Sequence, residues 1–370
     1  MSSEPLPPLR LLSALGQSVW IDFLSRESIR GGHLQKLLDD DAVVGATSNP
    51  SIFQKAMASG DAYEQQLHEL DDEMAIKDVF WALAEQDIRE ACDLFAPIFT
   101  AGNGRDGFVS IEVDPGLAYD TLATFREAMR LHEAVDKPNL MVKIPATKPG
   151  LAAIEDVIAK GKSINITLIF SLARYEEVAE SYIRGLERLV AEGGDPSKVF
   201  SVASFFVSRI DTEADRRLDE LGGHDDLAGK LAIANARLAY QRYKAMFSGE
   251  RWEYLQSKGA TPQRVLWAST SVKNPDYPDT LYIEELIGPD TVNTMPEETI
   301  QAYQDHGHPR PRLESELDQA RKLFDDLAAA GVDYKDVTDT LEREGVQKFA
   351  DAFAELLASL QHKRSSLVAA

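Results

Sequence analysis

Leu140-Met-Val-Lys-Ile-Pro-Ala-Thr147 places one lysine, Lys143, inside a short and otherwise apolar run that reads as a buried strand. Side chains alternate between the faces of a strand, so Val142 and Ile144 point one way while Met141, Lys143 and Pro145 point the other. Burial disfavours an ammonium ion, so a lysine in such surroundings can act as a neutral nucleophile. Taken alone, the run also fits an edge strand whose lysine faces water, because lysine is rarely buried.

The flanking sequence decides for a barrel. Apolar runs of strand length fall at 18–24, 42–47, 108–113, 139–145, 163–170, 199–207, 264–270 and 291–295. Between them lie amphipathic segments at 28–38, 50–57, 61–70, 75–95, 119–135, 150–159, 172–192, 209–221, 227–247 and 296–304. Strands that alternate with helices pair in parallel through right-handed crossovers, and eight such units close a single (β/α)8 TIM barrel. A doubly wound open sheet is the alternative, but no Gly-x-Gly-x-x-Gly follows the first strand. After Gly307-His-Pro-Arg-Pro-Arg312 the chain turns to charged helix at 313–330 and 335–361. We expect residues 313–364 to be a helical extension packed on the outside of one barrel domain spanning 1–370, with 365–370 frayed.

Composition narrows the function. The 370 residues carry 39 basic and 61 acidic side chains, a net charge of −22, which argues against nucleic acid or an anionic membrane as partner. An anionic ligand would need a local basic pocket. One cysteine, Cys92, excludes an intramolecular disulfide framework and a cysteine metal cluster, and fits a reducing cytosol. No stretch approaches eighteen apolar residues and the N-terminus lacks a signal-peptide pattern, so neither membrane insertion nor secretion is expected.

Barrel active sites lie at the carboxyl ends of the strands, on side chains that face the axis. Polar residues fall there repeatedly: Asp22 in the first strand, Thr47 and Asn49 after the second, Glu112 in the third, Asn165 and Thr167 in the fifth, Ser204 in the sixth and Ser269 in the seventh. Each sits on the opposite parity from its β-branched neighbours. A barrel interior is normally filled by branched apolar side chains, so a polar axis containing Lys143 marks a reaction chamber. A lysine there can condense with a ketone to an iminium ion. Glu112, through a water held by Thr167, can move the protons this needs, and Asp22 can take a proton from a sugar hydroxyl as a carbon–carbon bond breaks. Asn49 and Asn165 can hydrogen-bond substrate hydroxyls. Two structural alternatives stand beside this reading: Asp22 and Glu112 paired with Arg26 or another basic residue, and Thr47 with Asn49 as a capping turn before Pro50. Cys92, His33 and the C-terminal charges read as structural or surface.

Six stretches, in order, carry a family resemblance: Val19-Trp-Ile-Asp-Phe23, Ala46-Thr-Ser-Asn-Pro-Ser51, Ser110-Ile-Glu-Val-Asp114, Met141-Val-Lys-Ile-Pro-Ala146, Ser163-Ile-Asn-Ile-Thr-Leu-Ile-Phe170 and Ala203-Ser-Phe-Phe-Val-Ser-Arg-Ile210. Over residues 15–305 the chain resembles the transaldolases, (β/α)8 barrels of the class I aldolase group. The resemblance implies that Lys143 forms the Schiff base, that Asp22 and Glu112 are the acid/base carboxylates, and that Thr167 holds the catalytic water. It implies that Thr47, Asn49, Asn165 and Ser204 surround the dihydroxyacetone moiety and that Arg209 binds phosphate. The implied reaction moves a dihydroxyacetone unit from sedoheptulose 7-phosphate or fructose 6-phosphate to glyceraldehyde 3-phosphate or erythrose 4-phosphate, in the non-oxidative pentose phosphate pathway. It needs no metal or organic cofactor. A Schiff-base aldolase and a catalytically silent sugar-phosphate-binding barrel are the alternatives; Glu112 favours transfer, because the related aldolases resemble one another in using a tyrosine in the water-handling role.

One position departs from the family pattern. Where the second phosphate arginine is expected, two residues after the serine of the seventh strand, Ser269 is followed by Thr270 and Ser271. The nearest base, Lys273, is expected to replace it as a point charge without bidentate geometry. Oligomeric state and the role of the C-terminal helices are not legible.

Overall fold

Eight parallel strands close in sequence order into a barrel: β1 Gln17–Ile21, β2 Val43–Thr47, β3 Val109–Glu112, β4 Leu140–Pro145, β5 Ile164–Ile169, β6 Ser201–Phe206, β7 Arg264–Ala268 and β8 Thr291–Met295, with β8 returning to β1. This is a computed structural model, and it describes residues 6–58 and 60–368. All eight expected strands are present. They are mostly shorter than their apolar runs, because the flanking residues bend away into loops where ladder partners end.

The helices in chain order are α1 Pro8–Ala14, α2 Arg26–Arg30, α3 His33–Asp40, α4 Pro50–Ala58, α5 Glu64–Glu69, α6 Ile76–Ala101, α7 Thr121–Val135, α8 Lys148–Ala159, α9 Leu172–Ala191, α10 Ser208–Leu221, α11 Leu231–Met246, α12 Gly249–Ser257, α13 Leu281–Glu285, α14 Glu297–His306, α15 Leu317–Ala330 and α16 Tyr334–Val368. Several begin where the sequence supplies a cap. The Thr147, Ser171 and Asp120 side chains accept from Gly150, Arg174 and Ala123 amides at the starts of α8, α9 and α7. The expected helix at 28–38 is broken in two. Ser25 and Ser28 form a capping box that starts α2 early, and Gly31-Gly32 interrupts it, with Gly32 in the left-handed region. Helices α1, α12 and α13 were not foreseen; at 7, 9 and 5 residues they are too short to show much periodicity.

The axial side chains stack in layers. At the amino-terminal end buried Arg264 pairs with Asp106 at 2.9 Å and donates to Ser18, and the Trp20 indole N–H reaches the same carboxylate at 3.1 Å, closing the floor with satisfied polar groups. The apolar core lies between the strands and the helix ring.

The C-terminal helices were expected on the outside of the barrel, and α16 is not. It packs against α4, α10, α6 and β5, crossing the carboxyl end of the strands. Phe353 meets Phe80 edge-on at 5.2 Å, and Glu342 pairs with Arg174 at 3.2 Å. Gly345 marks a close approach: a Cβ there would stand 2.9 Å from Leu168 of β5. The helix also runs through Val368 rather than fraying from residue 365, and Arg364 donates to the Met74 carbonyl at 2.7 Å. Residues 369–370 lie outside the described residues.

Candidate active site

Parallel pairing of β3 with β4 sets Glu112 directly opposite Lys143. Both are buried, 6% and 5% exposed, and Nζ lies 3.4 Å from Oε2, within ion-pair reach but not aligned as a hydrogen bond. Nζ donates to the Ser48 carbonyl at 3.1 Å, and the Ser48 hydroxyl in turn donates to the Ser110 carbonyl at 2.7 Å. The edge-strand alternative is thereby removed. The Phe349 ring of α16 covers the amine, its centroid 5.9 Å from Nζ.

Burial pushes the Glu112 carboxyl up to about 7, against the opposing pull of Lys143. Asp22 is also raised by burial, which outweighs Lys143 and the hydrogen bond from Thr47. Thr47 donates to Asp22 Oδ1 at 2.6 Å, and its oxygen lies 2.8 Å from the Thr294 hydroxyl. One hydroxyl has one proton to give, so Thr294 donates to Thr47 and Thr47 to Asp22. Thr294, on β8, was not among the expected site residues, and alternation along 291–295 gave no signal for it, since it shares its parity with Val292.

Thr167 lines the chamber, and its buried hydroxyl has no protein hydrogen-bond partner. The next residue, Leu168, has φ of +60°, and the β5–β6 register shifts between Ile166 and Ile169. A left-handed leucine costs about 1–2 kcal/mol, and such strain is held where surrounding packing over-determines it. Asn165 sits one layer deeper. It donates to the Ser110 hydroxyl at 3.1 Å and accepts from Ser204 at 2.7 Å, and of these Ser204 lines the chamber while Asn165 does not.

Both structural alternatives can now be judged. Arg26 pairs with Asp87 at 2.7 Å; among the described residues Asp22 has no ion pair, and the basic residue that Glu112 faces is Lys143 itself. Asn49 does cap α4, accepting from the Ile52 amide at 3.1 Å, and it also lines the chamber; Thr47 is engaged with Asp22 instead.

At the mouth stand two cations. The Arg209 guanidinium, at the start of α10, lies over the Phe206 ring at 5.2 Å and has no ion pair among the described residues. Lys273, in the segment after β7, is exposed and donates to the Ser271 hydroxyl at 2.6 Å. Desolvation lowers both, and repulsion from Arg209 lowers Lys273 further. Ser269, with φ of +57°, lies 2.9 Å from the Ser208 hydroxyl and ties the end of β7 to the start of α10. In a chain of net charge −22, two cations at one mouth with no ion pair among the described residues are arranged so that they could receive an anion.

The chamber thus brings together Asp22, Thr47, Asn49, Lys143, Thr167, Ser204, Arg209, Ser269 and Lys273, with Phe206, Thr294 and Phe349 added. Glu112 stands behind the lysine. The family model described as Transaldolase/Fructose-6-phosphate aldolase matches residues 19–360. The chain belongs to this family. It is 52% identical over 366 residues to the transaldolase of Mycobacterium leprae (strain TN), covering 98% of each chain. It is 51% identical over 356 residues to that of Acidothermus cellulolyticus, and 50% over 357 residues to that of Frankia alni, covering 95% of this chain and 96% of the relative in each case. The family match extends beyond the resemblance read from the six motifs and takes in most of α16. Among the described residues no group of three or more His, Cys, Asp or Glu is placed to hold a metal ion, and no helix is long and apolar enough to cross a membrane.

Proposed function

We propose that this protein is a transaldolase that carries a dihydroxyacetone unit on Lys143. The observation that carries the reading is the buried Lys143–Glu112 pair inside a polar chamber that also holds Asp22 and a two-cation mouth. The Lys143 amine adds to the ketone of a sugar phosphate. Glu112, relaying through a water on the free Thr167 hydroxyl, protonates the carbinolamine oxygen, which leaves as water and gives the iminium ion. Asp22, oriented by Thr47, takes the proton from the hydroxyl beside the scissile bond. The carbon–carbon bond breaks, its electron pair flows into the iminium as an enamine, and the aldehyde departs. An acceptor aldehyde then runs the same steps in reverse.

Fructose 6-phosphate or sedoheptulose 7-phosphate is the donor we expect, with the phosphate between Arg209 and Lys273, and erythrose 4-phosphate or glyceraldehyde 3-phosphate the acceptor. The acidic surface and the absence of a described membrane-crossing helix support action on small soluble metabolites, which we place in the cytoplasm.

Borohydride reduction in the presence of fructose 6-phosphate tests the covalent step. Added mass on the peptide containing Lys143 is expected. Mass elsewhere, or none, overturns the assignment. Erythrose 4-phosphate then separates transfer, which makes a seven-carbon ketose phosphate, from cleavage, which releases free dihydroxyacetone.

A further inference from the structure

Helix α10 begins at Arg209's own turn and carries two aspartates, Asp211 and Asp215, that the reaction does not use. Four residues apart, they share one helix face. Each binds two separate segments. Asp211, 1% exposed, accepts from the Ala232 amide at 2.7 Å and from the Tyr282 hydroxyl at 2.8 Å. Asp215 accepts from the Gly229 amide at 2.9 Å and from the Tyr277 hydroxyl at 2.8 Å.

Tyr277 lies in the segment between β7 and α13 that also holds Lys273, and Tyr282 lies in the first turn of α13, where that segment ends. A tight turn joins Lys273 to Tyr277: the Tyr277 amide donates to the Asn274 carbonyl at 3.1 Å, and the Asp276 amide to the Asn274 side chain at 3.0 Å. Gly229, at φ of +69°, lets the ring in, since a Cβ there would lie 2.7 Å from Tyr277 Cζ. These bonds oppose the repulsion between Arg209 and Lys273, which sit at the two ends of the linkage.

We propose that Asp211 with Tyr282 and Asp215 with Tyr277 are positioning residues that hold Lys273 at a fixed distance from Arg209, and so set the preference for phosphorylated over unphosphorylated sugars. This rests on the phosphate role assigned above to the two cations. The linkage acts on binding of the phosphate and not on the chemistry at Lys143, so its loss raises KM for phosphorylated substrate and leaves kcat alone.

The test uses the full-length enzyme with fructose 6-phosphate and with fructose as donors, and inorganic phosphate as competitive inhibitor. Tyr277→Phe is expected to raise KM for fructose 6-phosphate about tenfold, the effect of losing one well-made hydrogen bond to a charged group. The phosphate inhibition constant rises by the same factor, while kcat and the kinetics with fructose stay within twofold. Tyr282→Phe repeats the measurement on the second bond. An unchanged phosphate inhibition constant in both variants overturns the proposal, as does an equal loss with both donors, which marks a merely structural role. Arg209→Ala is the control: if it too leaves phosphate inhibition unchanged, the phosphate reading itself fails, and if it alone weakens inhibition, only the linkage fails.

Discussion

Glu112 and Lys143 face each other across the β3–β4 ladder, register partners whose charged ends are 3.4 Å apart in a nearly dry site. A buried pair of this kind leaves an uncompensated charge if one member is removed, and its retention points to chemistry more than to stability.

The pH dependence of stability follows from two buried carboxyls, Glu112 and Asp211. Burial raises Glu112 from 4.5 to about 7, and Asp211 from 3.8 to about 7. Between the unfolded and folded values the native state holds protons that the unfolded chain has released, so the stability these groups contribute is complete below the unfolded values and is lost as pH rises through about 7. Urea midpoints measured from pH 5 to 8 should fall in the wild type relative to Glu112→Gln. Parallel curves would remove Glu112 as a raised carboxyl.

Thr167→Val deletes a hydroxyl that has no protein partner. Removing an unsatisfied buried hydroxyl at constant shape leaves stability the same or raises it by about 1 kcal/mol. The catalytic cost should nonetheless be about 10²-fold or more in kcat, if Thr167 carries the proton-relaying water. Full kcat in this variant would release Thr167 from that role.

Lys273→Ala should raise KM for phosphorylated donor and acceptor about tenfold, as expected for loss of one charge-assisted contact. The Michaelis constant for each substrate, compared with wild type, checks it; no change removes Lys273 from the site.

Phe349→Ala uncovers the amine. Its ring lies 5.9 Å from Nζ at its centroid, and active-site closure keeps reactive intermediates from water. We expect the ratio of free dihydroxyacetone released to product transferred to rise several-fold, with Phe349→Leu restoring most of the discrimination. A ratio equal to wild type would reduce Phe349 to a packing residue.

What could be read without coordinates follows a local rule. A strand alternates faces with period two, so the parities of Asp22, Thr47, Glu112, Lys143, Thr167 and Ser204 were fixed by neighbours one residue away. The eight apolar runs, each followed by a helical pattern, allowed little besides a closed parallel barrel. Periodicity also told that α16 would bury one face through Leu341, Val346, Phe349, Phe353 and Leu357, of which the first four are buried and Leu357 is half-buried. It could not tell against what.

That second kind of fact belongs to the closed fold. Strand register placed Glu112 beside Lys143, and barrel closure brought Thr294 of β8 to Thr47 of β2, 247 residues apart, to orient Asp22. Long-range packing laid Phe349 over an amine more than two hundred residues earlier, where a glycine, Gly345, lets the helix descend. The amino-acid order determined the strands, their polar faces and the family; the tertiary structure decided which side chains meet, because contacts across a barrel depend on register and closure, and neither is encoded within the reach of a single strand or helix.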